Sequence, residues 1–171
     1  MDLIKYTLLQ NPAAPGTISN QPAVPREEIY CPLSKSLSTP YGKSLRPRQA
    51  KRVSPSLPLG LALLSWIDTN SASPNQRNLQ QFQNVVNDTI TKLALPDSIV
   101  TPTILQDFIK GLEPTNLSGV AAVVGGVIGQ DVLNALGGKE LPIKNWLVFD
   151  GKSCEGRIYN LMGDTSNGIP V

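Results

Sequence analysis

The stretch that decides the fold is Leu117–Gly151, LSGVAAVVGGVIGQDVLNALGGKELPIKNWLVFDG. Its first part predicts a helix in which Val120, Val123, Val124, Val127 and Ile128 supply apolar bulk. Ala121, Gly125 and Gly129 recur every fourth residue and leave a bare stripe along one face. A glycine inside a helix is destabilising by about 1 kcal/mol relative to alanine, so Gly125, Gly126 and Gly129 together imply close approach by another backbone. Gly137-Gly138 then stops the helix and Pro142 marks a loop. The run Ile143–Phe149, ending in WLVF, predicts a strand, and Asp150-Gly151 a hairpin turn after it.

The same glycines invite comparison with a phosphate loop. A dinucleotide fingerprint places its glycines at a turn between strand and helix, whereas these lie within the helical pattern and follow a loop. No lysine follows them as in a P-loop, so packing is the better reading. Gln130 and Asp131 come next and mark where the helix meets solvent or a partner.

Outward from this stretch the chain alternates weak strands with helices. Asp2–Leu9 reads as a short strand, and Ile29–Leu33 as a second one kept to an edge by Pro32. Between them, 11–28 is Pro-rich and reads as a flexible loop. A helix is expected from Arg46, with Arg48, Lys51 and Arg52 on one face. After a break at Pro55 and Pro58, a nearly all-apolar helix over Leu59–Thr69 should be buried. A helix opened by Ser73-Pro74 puts Leu79, Phe82, Val86, Ile90 and Leu93 on its core face, and Thr101-Pro102 opens another. A last strand is expected at Arg157–Leu161, and a disordered tail over 164–171. Few strands and four to five helices make an α/β arrangement with an incomplete sheet.

Composition narrows the chemistry. The 171 residues suffice for one domain, and a net charge of +2 gives no global attraction to nucleic acid or anionic membrane. The longest charge-free apolar run, Gly119–Gly129, is short of the roughly 20 residues of a membrane span, and no secretory signal is expected. Histidine is absent, which removes Ser-His-Asp and Cys-His catalysis. Cys31 and Cys154 match no metal spacing and are expected to be free thiols. Asp150 could ligate magnesium at a strand end, but a turn role suits it better. Lys43, Arg46, Arg48, Lys51 and Arg52 place five cations within ten residues, as a solvated face, a partner patch or a nuclear import signal.

The glycine helix with its strand resembles the carboxyl-terminal element of adenylation domains in ubiquitin-like-protein activating enzymes, a ThiF/MoeB-like (Rossmann-like) fold. Within that family the resemblance is to the small, non-catalytic subunit of the heterodimeric SUMO-activating enzyme. IYCPLSKSL at Ile29–Leu37, QAKRVSPSLPLGLALL at Gln49–Leu64 and GRIYNLMG at Gly156–Gly163 also resemble that subunit. The resemblance covers 29–163 and the opening strand at 1–10. It implies pairing with a large catalytic subunit that holds ATP and magnesium, indirect contact with SUMO, and a nuclear location. No cofactor is expected in this chain alone, and no membrane or nucleic-acid partner. Nothing here corresponds to the family's N-terminal nucleotide-fold half or its ATP-reaching arginine; neither Arg26 nor Arg46 has that context, so no catalytic residue is carried over. A truncated or separately encoded half is the expectation. The alternatives are a stand-alone adenylating enzyme and a nuclear adaptor using the basic segment 43–52.

Overall fold

Phe82, Val86, Ile90 and Leu93 are almost wholly shielded from solvent and form the spine of the core. They lie along one face of α4 (Leu79–Lys92) at a spacing of four, four and three residues. The computed structural model describes residues 2–7, 25–112, 118–137 and 141–162, with the strands at 2–7 and 25–30 given by their backbone pairing. Most of the expected 11–28 loop and the tail at 164–171 lie outside the described residues.

Local chemistry marks where α4 and α5 begin. The Asn75 side chain accepts from the Arg77 amide at 2.9 Å, and the Asn78 side chain accepts from the Asn75 amide at 2.6 Å, nucleating the turn that leads into α4. α5 (Pro102–Gly111) has Thr101 as its cap, accepting from the Ile104 amide, and proline at its first position. α3 (Ser56–Asn70) starts three residues before the expected Leu59. Pro58 does not break it, because a first-turn residue has no intrahelical N–H bond to lose. Trp66 of α3 and Phe82 of α4 meet edge to face at 5.7 Å, and Phe82 stacks with Phe108 of α5 at 6.2 Å. α3 is not buried all round as its composition suggested: Leu64 and Ile67 remain exposed.

Two antiparallel hairpins replace the expected partial sheet. β1 (Asp2–Thr7) pairs with β2 (Pro25–Tyr30), Ile4 opposite Glu28. β2 therefore begins within the expected 11–28 loop, and Leu33 belongs not to a strand but to α1 (Leu33–Ser38). β3 (Trp146–Asp150) pairs with β4 (Glu155–Tyr159), Leu147 opposite Ile158. The Asp150 carboxylate accepts from the Lys152 amide at 2.9 Å, so Asp150 shapes the turn, and Cys154 closes it in the left-handed region (φ 56°). Among the described residues no parallel strand pair occurs.

The second hairpin is anchored by its tail. Tyr159, Leu161 and Met162 are buried, and the Tyr159 hydroxyl accepts from the Ser54 amide at 3.0 Å. Asn145 joins three segments. Its amide nitrogen donates to Ser36 Oγ at 2.9 Å, and its Oδ1 accepts from the Leu161 amide at 2.8 Å. Thr39 and Cys31 donate to the Leu161 carbonyl at 3.3 and 3.5 Å. These bonds fix α1 and the Cys31 loop against the end of β4.

α2 (Pro47–Ala50) is a single turn, capped by Gln49 accepting from the Arg46 amide. It ends before Lys51, so Arg48, Lys51 and Arg52 do not share a helix face as expected; Lys51 and Arg52 occupy the turn that follows.

A candidate interaction surface

The glycine helix is α6 (Ser118–Gly137), one unbroken run of twenty residues with no buried residue. An apolar helix beside so few strands is expected to keep an uncovered face, and it does. Leu133 is 63% exposed and Leu136 81%, with Val123, Ile128 and Val132 also largely in solvent. A Cβ placed on Gly125, Gly126 or Gly129 would meet nothing within 4 Å. The bare stripe of Ala121, Gly125 and Gly129 therefore faces open space, as do Gly126 and Gln130. The glycines also sit in the body of the helix, where their amides serve the helix itself and cannot cradle a phosphate.

Asp131 and Val120 hold α6 to the neighbouring residues. The Asp131 carboxylate accepts from the Ile143 amide at 2.6 Å, and Val120 lies beside Gly151 of the β3–β4 turn. Gln130 donates to Asn134 one turn further on, at 2.9 Å. These polar groups do not interrupt the helix, which explains why the apolar segment runs past Gly129. By length and composition alone, α6 suffices to cross a membrane.

Val120 also borders an apolar cleft of 690 Å³ between α3, the end of α5 and β3. Leu57, Leu61 and Leu64 of α3 form one wall, with Phe108 and Trp146 opposite. Gly60 lies between them with open space above it. α6 and Leu64 at the cleft leave several large apolar side chains in solvent, the kind of exposure that marks an interaction surface.

The other expected residues are polar and spread out. Arg48, Lys51 and Arg52 are exposed, and the Arg52 carbonyl accepts from the Arg157 guanidinium at 2.7 Å. Arg157 also pairs with Glu155 at 2.8 Å, which holds its pKa above the usual arginine range. Cys31 and Cys154 are free thiols, the first half-buried and the second exposed. Among the described residues no three His, Cys, Asp or Glu side chains converge on a metal position. Sequence reasoning missed the role of Asn145, which has no motif. It left open whether the glycine stripe meets this chain's own sheet or a partner, because an apolar helix reads the same whether its cover lies within the chain or outside it.

The chain is 36% identical over 132 residues to the DNA damage tolerance protein RHC31 of Saccharomyces cerevisiae, covering 73% of this chain and 35% of that protein. It is 30% identical over 155 residues to ubiquitin-like modifier-activating enzyme 1 of Oryctolagus cuniculus, covering 81% of this chain and 14% of that protein. It is 25% identical over 137 residues to SUMO-activating enzyme subunit 1 of Xenopus tropicalis, covering 78% of this chain and 38% of that protein. These proteins are its homologues. The chain spans little more than a third of RHC31 and of the frog subunit. No family model matches the chain.

Proposed function

We propose that this chain serves in ATP-dependent SUMO activation as a non-catalytic subunit, paired with the large catalytic subunit through α6 and the adjoining cleft. The observation that carries the reading is α6 itself, a twenty-residue apolar helix without a buried residue, in a homologue of SUMO-activating enzyme subunit 1. Ala121, Gly125 and Gly129 let a partner backbone approach α6 closely, while Leu133 and Leu136 supply the apolar contact area. ATP and magnesium belong to the large subunit, because the glycines here are committed to a helix and Asp150 to a turn.

A protein partner suits α6 better than lipid. Asp131 lies in the body of the helix with its carboxylate bonded to the Ile143 amide, and Gln130 bonds Asn134 beside it. An ionised carboxylate in hydrocarbon is strongly unfavourable, whereas an interface accommodates it at a polar rim. A nuclear location goes with the proposed pathway, and the exposed cations at Lys43–Arg52 suit recognition by import machinery. Co-expression of the chain with the large SUMO-activating subunit should give a complex that survives affinity purification. A large subunit purified free of this chain would refute the reading.

A further inference from the structure

A second, shallower groove of 360 Å³ runs between residues 41–53 and β4, bordered by Tyr41, Leu45, Arg52, Arg157, Ile158 and Tyr159. Successive strand residues face opposite ways, so a groove touching Arg157, Ile158 and Tyr159 follows the edge of β4. Among the described residues β4 pairs only with β3, which leaves this an edge strand. The groove has an apolar side and a cationic side. Ile158 is 57% exposed, and the buried Tyr159 ring meets Tyr41 edge-on at 5.9 Å. Arg52 stands at the rim, with Arg46, Arg48 and Lys51 close in sequence, all exposed and without an ion pair among the described residues.

We propose that this groove binds an extended segment of a protein partner in which acidic residues alternate with aliphatic ones, laid along the β4 edge. Backbone pairing would supply affinity, the aliphatic side chains would cover Ile158, and the carboxylates would meet Arg52 and its neighbours. A peptide fits better than single-stranded nucleic acid. The two tyrosine rings are packed on each other and present no stacking platform, while a strand edge offers groups that a peptide backbone pairs. The proposal does not depend on the pairing through α6.

Fluorescence anisotropy on the full chain tests it, with a labelled peptide alternating glutamate and valine. That peptide should bind at least about tenfold more tightly than its lysine–valine counterpart, and Arg52→Glu should weaken it about tenfold. Methylating alternate peptide amides should weaken it similarly, since that removes backbone donors. Arg77→Glu, an exposed cation in another segment, should change nothing. Circular dichroism of each variant separates lost binding from lost fold. Equal binding of the two peptides, or full binding by a folded Arg52→Glu variant, would overturn the proposal. So would displacement of the peptide by oligothymidylate at lower concentration, which would make the site one for nucleic acid. Self-association abolished by Arg52→Glu would also overturn it, by assigning the groove to a second copy.

Discussion

Asn145 holds more of the chain together than any residue flagged by a motif. Its side chain bonds Ser36 and the Leu161 amide, joining α1 to the end of the last hairpin. Asn145→Ala leaves both groups without that partner and should lower stability by about 1–3 kcal/mol. The check is a urea titration, in which the midpoint falls and the slope stays the same. The end of α4 points the other way. Ala94 sits in the left-handed region (φ 54°), with the Leu95 amide bonded back to the Ile90 carbonyl at 3.1 Å. That conformation is unfavourable for any residue with a Cβ, so Ala94→Gly should stabilise the chain by about 1 kcal/mol, read as a rise in Tm. Its neighbour Gly42 is needed for a different reason: a Cβ there would run into the Ala94 carbonyl.

Tyr41 adds a pH dependence at the same scale. Burial, and then the nearby Tyr159, raise its pKa above the usual value of 10.0. In the unfolded chain the phenol loses its proton near 10.0, while in the folded chain it keeps the proton to higher pH. Stability is therefore full below that value and is lost as the pH rises through it toward the folded pKa. Tyr41→Phe should flatten this alkaline loss in denaturation curves collected on both sides of the transition.

At the scale of elements, what the sequence could reveal depended on how local the cause was. α5 was legible because Thr101-Pro102 announces its start, and the core face of α4 because Phe82, Val86, Ile90 and Leu93 repeat in step with the helix. The start of α4 was not: Ser73-Pro74 does not open it, and the helix begins at Leu79 after the turn made by Asn75 and Asn78. The β3–β4 turn was legible from Asp150-Gly151. The second strand was expected at Ile29–Leu33 but its start was missed, because Pro25 and two adjacent glutamates read as loop and only pairing with β1 makes them a strand. The incomplete sheet was an inference from few strands among several helices, and the described strands form two separate antiparallel pairs. α6 was legible as a helix, and too few strands to cover it made an exposed face legible too, but not which of its sides is bare. Its glycines now make opposite predictions for the chain alone and for the complex. With nothing near Gly125, Gly125→Ala should stabilise the free chain, by up to about 1 kcal/mol. Gly125→Leu should leave the free chain folded while weakening capture of the large subunit at least about tenfold by overpacking a close approach. A large loss of stability in free Gly125→Leu would show that the stripe is covered within the chain.

For the whole molecule, the helical core is well covered and one side is not. α4, the inner face of α3 and the hairpin tail shield one another, while α6 and the α3–β3 cleft leave large apolar side chains in water. A partner that covers this side would stabilise the chain in proportion to its affinity, linking folding to assembly. The candidate surface could be read from the sequence only as a set of small residues; that it faces outward depends on where every other element packs. Hydrogen–deuterium exchange of the chain with and without the large SUMO-activating subunit tests this most directly. The peptide covering 118–137 should exchange markedly more slowly in the complex, while those covering 57–62 and 82–93, whose apolar side chains are already buried, should change little. A stable complex in which 118–137 exchanges as fast as in the free chain would contradict the assignment of α6 as the partner face.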